Sequence, residues 1–306
     1  MKKVFIDGIN GIVGSTLFAK LKGRRDIELI TLADTKDVRQ RQAALNQADI
    51  VFICLPETQG KKAIEMVTNP DTAIIDFSGS AKLQQGWVYG FPDLYAGYEN
   101  LIRSSNRIAM LNPHAVGFIA LVRPLIDARL INASAALSCF SVIGHSVGGK
   151  KMAEQYKNTT SAVFKAHRQY GLTQTHKGLA EMVKISGLKR APIFSPVISS
   201  SFNGVGFSVF LFSDQLEGGN LSDVKWIYAD RYQGPTVKYN AAIEQDSFLS
   251  AASYLGRDSM EISVTGNNER IVLNARYDNL GKGSVGAAIE CMNIMMGVNK
   301  TKGLDL

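Results

Sequence analysis

The sequence predicts an α/β protein: a doubly wound parallel sheet over the first third, then a second domain of α+β type. Three observations predict it. Short apolar runs alternate with helical patterns up to residue 111. A glycine-rich turn follows the first of those runs. Beyond about residue 115 the runs lengthen and one pair meets through a hairpin-like turn. A chain of 306 residues is long enough for two domains with sizeable cores, and it needs no disulfide or metal to fold.

Residues 4–7 read as the first strand, and Leu17, Phe18 and Leu21 then recur at helical spacing. Residues 27–32, 49–55, 72–76 and 107–111 read as four further strands. The run Asp49-Ile-Val-Phe-Ile-Cys-Leu55 is almost wholly apolar, as a strand covered by helices on both faces requires. In the second part, residues 133–142 and 204–213 read as longer strands. Residues 260–265 and 270–275 form a pair joined by Gly266-Asn-Asn-Glu269. Helical patterns fall at 150–157, 176–187, 221–231 and 284–297. No internal repeat, low-complexity segment or long linker is visible.

Composition narrows the function classes. No apolar run is long enough for a membrane-spanning helix, which takes about 18 residues or more, and the four-residue run Val4-Phe5-Ile6-Asp7 is too short for a signal-peptide core and reads better as a strand leading into a turn. Cys54, Cys139 and Cys291 are widely spaced and odd in number, which argues against a disulfide framework or structural zinc and for a reducing cytoplasm. The net charge of +7 comes from scattered residues with short clusters only. It suits an anionic small molecule better than nucleic acid or a membrane.

The first strand ends in Asp7-Gly8-Ile9-Asn10-Gly11-Ile12-Val13-Gly14, a GxxGxxG pattern opening a helix. Glycines there let the backbone turn sharply and approach a pyrophosphate whose charge the helix N-terminus stabilises. Gly8, Asn10, Gly11, Ile12, Val13 and Gly14 are therefore the candidate dinucleotide-binding residues. The alternative is a turn needed only for tight strand–helix packing. Asp34 lies about 20 residues on, where a carboxylate selects a free ribose 2′-hydroxyl and hence NAD. Lys36 and Arg39 follow it and would hold the 2′-phosphate of NADP, so residue types alone leave the two cofactors open.

Seven blocks in order carry a family likeness: the first strand and its turn, Cys54-Leu55-Pro56, Gly86-Trp-Val-Tyr-Gly-Phe-Pro92, Gly117-Phe-Ile-Ala-Leu-Val-Arg-Pro-Leu125, Gly148-Gly-Lys-Lys-Met152, Ala191-Pro-Ile-Phe-Ser-Pro196 and Arg276-Tyr-Asp-Asn-Leu-Gly-Lys-Gly283. Over nearly its whole length the chain resembles the short-form N-acetyl-γ-glutamyl-phosphate reductases. The resemblance implies a Rossmann-like doubly wound parallel sheet with an inserted α+β substrate and oligomerisation domain. It places the dinucleotide domain at 1–114, completed by a C-terminal helix at 284–306, and the substrate domain at 115–283. It implies NADP as cofactor, with Pro56, Ser78, Asn279 and Lys282 near it, an anionic amino-acid-derived substrate, and a homodimer or homotetramer. Lys82, Asn112, Ser146, Gly149 and Lys150 fall on its substrate-binding landmarks.

The resemblance breaks at the chemistry. The family carries Asn-Pro-Gly-Cys-Tyr-Pro-Thr before Gly-Phe, and that cysteine holds the acyl group as a thioester. This chain reads Asn112-Pro113-His114-Ala115-Val116 before Gly117-Phe118, two residues shorter and without the thiol. Lys82 stands where the family has an arginine, which keeps the charge and loses the fork. His145 replaces a tyrosine, and His176-Lys-Gly-Leu-Ala-Glu181 retains one of two family histidines. Cys54, Cys139 and Cys291 lie in apolar contexts and read as inert core residues.

Three of the four histidines, His114, His145 and His176, thus fall on active-site landmarks. Imidazole exchanges protons near neutrality, and a C=O or C=N needs only hydride at carbon and a proton at the heteroatom. These three are the catalytic candidates; the bland alternative for His114 and His145 is polar filling of an eroded site. Their spacing carries no metal signature, so no metal is expected. Three functions stand: hydride transfer to C=O or C=N without a thioester, the family reaction by a changed mechanism, or a non-catalytic cofactor-binding relic.

Overall fold

A computed structural model describes residues 1–34, 37–110, 112–242 and 248–306. Lys36, one of the cofactor candidates, lies outside the described residues. The chain divides into two compact units. The first comprises residues 1–92, 97–111 and 287–304, and the second residues 93–96, 112–286 and 305–306.

The first unit holds a parallel six-stranded sheet in the order β2-β1-β3-β4-β6-β5. Its strands are β1 Lys2–Asp7, β2 Ile27–Ile30, β3 Ile50–Ile53, β4 Ala73–Asp76, β5 Val88–Tyr89 and β6 Arg107–Ala109. Helices α1 Ile12–Leu21, α2 Val38–Gln47, α3 Glu57–Met66 and α4 Tyr98–Ser104 connect them. β3 and β4 are buried at every residue, which accounts for their unbroken apolar runs. β1 pairs in parallel with β2 on one side and β3 on the other, so the order in which strands are added reverses at β1 and the turn after it lies at the topological switch point.

The second unit opens with the 15-residue helix α5 Pro113–Asp127. Hydrophobic spacing does not reveal this helix, because most of its circumference is buried and it has no polar stripe. Gly117 on α5 lets it sit against the sheet, since a Cβ there would come within 2.5 Å of the Tyr277 hydroxyl and 3.1 Å of Phe207.

The second sheet has seven strands in the order β11-β12-β13-β10-β7-β9-β8. They are β7 Ser138–Gly144, β8 Arg168–Gln169, β9 Ile193–Ser199, β10 Val205–Phe212, β11 Val237–Tyr239, β12 Met260–Gly266 and β13 Arg270–Tyr277. The helices α6 Gly149–Asn158, α7 Ala162–Lys165, α8 Gly178–Ser186 and α9 Leu221–Arg231 belong to this unit. β12 and β13 form the expected hairpin, closed by the Asn267 N–H donating to the Arg270 carbonyl at 2.9 Å.

The strand expected over 133–142 is Ser138–Gly144 instead. Asn132 draws the preceding segment into a turn: its side-chain oxygen accepts from the Ser134 N–H, and its carbonyl accepts from the Ala135 N–H, both at 2.9 Å. β9 carries Pro196 within an apolar strand, a residue that hides such strands from pattern reading.

Helix α10 Gly286–Met295 follows a π-helical turn at Gly281–Val285. In the first unit the buried Asn293 of α10 accepts from Arg24 at 2.6 Å and donates to the Lys300 and Lys302 carbonyls at 2.9 Å. No helix among the described residues is long and apolar enough to cross a membrane.

Candidate functional site

Two candidate features stand out, one in each unit. In the first, the β1–α1 turn is built for close backbone approach. Gly8 has φ +94°, and a Cβ there would stand 2.4 Å from the Cys54 carbonyl oxygen. A Cβ on Gly14 would stand 2.3 Å from the Gly8 carbonyl oxygen. Only glycine fits either position. Gly11 caps α1 and supplies no side-chain acceptor, so the first-turn amides at Ile12 and Val13 face outward as donors for an anion. The glycine cradle and open helix end fit a dinucleotide pyrophosphate.

Asn10 is exposed in the turn, and Asp34 is exposed beyond the end of β2. Arg39 is exposed in the first turn of α2. Arg41, two residues further on, is committed to Asp7, with Nε at 3.0 Å from both carboxylate oxygens and a terminal nitrogen at 2.7 Å. Pro56 caps α3, and Ser78 lies so close to this helix that a Cβ on Gly60 would overlap its side chain. The Ser78 hydroxyl also lies 2.8 Å from that of Ser80, and Lys82 follows in the same turn region. Burial, with the Asp7 and Asp76 carboxylates adding to it, pushes the Cys54 thiol far above its ordinary value.

In the second unit a cavity of about 450 Å³ is lined by residues including Asn112, His114, Met152, Arg168, Tyr170 and His176. Asn112 caps α5 and accepts from the His114 N–H at 3.0 Å, which fixes the backbone that carries the imidazole. The Asn112 N–H in turn donates to the buried Glu181 carboxylate at 2.8 Å. His114 is 1% exposed. Its Nδ1 lies 2.8 Å from the Ser141 hydroxyl and its Nε2 2.6 Å from the Tyr170 hydroxyl. Burial, reinforced by His176, lowers its pKa to about 3, so the ring is neutral at physiological pH.

His176 stands edge-on to His114 at 5.5 Å between ring centres, and its Nδ1 accepts from the Gly178 N–H at 3.1 Å. Phe194 packs 5.2 Å from both imidazoles. Arg168 brings a cation to the wall. Its guanidinium lies 4.4 Å over Phe164 and 5.1 Å over Tyr156, and its Nε donates to the Tyr156 hydroxyl at 3.1 Å. Lys177 adds a second cation.

The structure thus brings His114, His176 and Asn112 together. It leaves His145 outside the cavity wall, stacked on Tyr156 at 4.4 Å and edge-on to Phe202, where burial lowers its pKa. Ser146 bonds Asn203 at 2.7 Å and accepts from Asn279 at 2.8 Å. Asn279 also accepts from the Gly204 N–H at 3.0 Å. Lys282 is fully buried, with its ammonium 2.5 Å from Asp93. Gly149 begins α6 with φ +72°, and Lys150 beside it is exposed.

Sequence reading missed Ser141, Arg168 and Tyr170. Ser141 is a lone hydroxyl at an inward position of β7. Arg168 and Tyr170 share the two-residue spacing of strand residues on one face. None of the three cysteines lines the cavity: Cys139 is buried in β7 and Cys291 in α10.

The chain matches two family models. One is described as semialdehyde dehydrogenase, NAD binding domain, over residues 3–100, and the other as semialdehyde dehydrogenase, dimerisation domain, over residues 114–279. It is 32% identical to "N-acetyl-gamma-glutamyl-phosphate reductase 2" of Pseudomonas putida, covering 98% of each chain. It is 33% identical to the N-acetyl-gamma-glutamyl-phosphate reductase of Rhizobium leguminosarum bv. trifolii, covering 96% of this chain and 98% of that one. Among solved structures, aspartate semialdehyde dehydrogenase II of Vibrio cholerae superposes with a TM-score of 0.75 at 15% identity, over 97% and 98% of the chains. The Candida albicans aspartate semialdehyde dehydrogenase with NADP gives 0.65 at 13% identity, over 97% and 98%. Likenesses this distant in sequence speak to the fold alone.

Proposed function

The chain belongs to the N-acetyl-γ-glutamyl-phosphate reductase family and is an NAD(P)-dependent reductase; from that premise we propose that it reduces the C=O or C=N of an anionic amino-acid derivative without a cysteine thioester. One observation carries the reading. The residue presented to the cavity at the start of α5 is His114, hydrogen-bonded to Ser141 and Tyr170, and the cavity wall contains no thiol. A carbonyl or imine already at the right oxidation level needs no covalent capture.

The bound dinucleotide supplies the hydride. The β1–α1 turn would hold its pyrophosphate. NADP is the cofactor we infer, on the exposed cation Arg39 at the ribose end of the site. The first unit, residues 1–92, 97–111 and 287–304, serves the dinucleotide, and the second, which carries Asn112 and His114, serves substrate and subunit contacts. In the cavity Arg168 and Lys177 attract the anionic substrate, while His114, His176 and Tyr170 surround its reacting end and manage the proton. Three unbridged cysteines suit a cytoplasmic enzyme.

The test is NADPH oxidation with aldehydes and imines bearing a carboxylate, before and after exhaustive thiol alkylation. Turnover that survives alkylation is the expected result, and its abolition would refute the thiol-free mechanism. A second reading keeps the family reaction on an acyl phosphate, favoured by near-full-length identity of 32–33% to reductases of that name. Phosphate release coupled to NADPH oxidation is its signature.

The same unit offers a surface for self-association. Phe140, Phe210, Phe212 and Ile193 are exposed, and strand register sets them on one face of the seven-stranded sheet. The opposite face, with Cys139, Phe194, Val209 and Leu273, is buried. We infer that the open face joins subunits in a homodimer or homotetramer.

A further inference from the structure

Reduction of a carbonyl places a hydride on carbon and a proton on oxygen, and the cavity must supply the proton. His114 is poorly suited to give it. Both its ring nitrogens face hydroxyl groups, Ser141 at 2.8 Å and Tyr170 at 2.6 Å, within a buried site. A neutral imidazole holds one proton and surrenders it only by becoming an imidazolate. The alternative donor, imidazolium, is not populated at neutral pH when the pKa is about 3. Tyr170, by contrast, is partly exposed and lines the cavity.

We propose that Tyr170 is the proton donor of the reduction, with His114 a positioning residue that holds its oxygen. In the working tautomer the Ser141 hydroxyl donates to Nδ1, so Nε2 carries the proton and donates to the Tyr170 oxygen. The phenolic hydrogen is then directed away from His114 and toward bound substrate. As the hydride adds to the carbonyl carbon with its electron pair, the π pair moves onto oxygen. The Tyr170 O–H bond breaks, and its proton passes to that oxygen to give the alcohol. The phenolate left behind is stabilised by the Nε2–H of His114 and regains its proton from water. Burial raises the Tyr170 pKa, which keeps it protonated through neutral pH, yet an alkoxide is a stronger base still. His176, Arg168 and Lys177 are the titratable and charged groups sharing this wall.

The inference rests on the functional reading above, and the experiment separates the two. NADPH oxidation is followed with glyoxylate, succinic semialdehyde and the imines each forms with ammonia. Tyr170→Phe is expected to lower kcat by about 100-fold or more with KM nearly unchanged, and the wild-type kcat to stay level from pH 6 to 9. Replacing Tyr170 with 3-fluorotyrosine preserves shape and acidifies the phenol, so it is expected to move the alkaline limb of the profile to lower pH. Without substrate, side-chain ¹⁵N NMR is expected to show His114 protonated at Nε2 only, with that signal displaced in Tyr170→Phe. A Tyr170→Phe enzyme within about threefold of wild type, or His114 protonated at Nδ1, would overturn this inference alone. Absence of wild-type turnover on the whole panel would overturn the functional reading and this one with it.

Discussion

His114 shows how a single residue's chemistry is set by what surrounds it. Its type suggests a proton donor, but its burial makes it a neutral strut between two hydroxyls. The same burial couples it to stability. Its folded pKa of about 3 lies below the ordinary 6.5, so the unfolded chain binds more protons between those values. Stability from this group is complete above pH 6.5 and is lost as pH falls toward 3. The expected slope is about 1.4 kcal/mol per pH unit in the middle of that window. Urea unfolding at pH 6 and pH 4 measures it, and His114→Gln is expected to flatten the dependence. An unchanged slope would show that His114 is not buried neutral. Residue identity did mark His114 and His176 as notable. It did not mark Ser141 or Tyr170, whose role depends on partners 27 and 56 positions away.

Among elements, the β1–α1 turn was the most legible, because its requirements are local. Gly8 and Gly14 are forced by backbone atoms a few residues away or on the adjacent strand. Gly14→Ala is expected to weaken NADPH binding at least tenfold by calorimetry and to cost about 1–3 kcal/mol through overpacking. Affinity equal to wild type would mean the cradle is not the dinucleotide site. Helix α5 is the opposite case. It positions His114, yet its burial on nearly every side erases the periodicity that marks a helix. β9 was hidden by Pro196, and the 133–142 expectation was displaced by the turn at Asn132. In each case a side chain or a packing partner overrode the pattern.

For the whole molecule, the parallel sheet and the mixed sheet make different demands on sequence. The first is covered on both faces and reads as unbroken apolar runs. The second buries one face and leaves Phe140, Phe210 and Phe212 open on the other, interleaved with Ser138 and Ser208. If that face joins subunits, Phe210→Glu combined with Phe212→Glu shifts the assembly toward monomer in sedimentation equilibrium, with the fold retained by circular dichroism. An unchanged mass would exclude this face as the interface. What the sequence determined by itself was the architecture and the dinucleotide turn, since both follow from hydrophobic period and from glycine's backbone freedom. Only the tertiary structure brought together the groups on which the proposed catalytic assignment rests. Hydrogen bonds among residues distant in the chain, and the dielectric around them, exist only once the sheet and α5 have packed, and the choice proposed between Tyr170 and His114 depends on them.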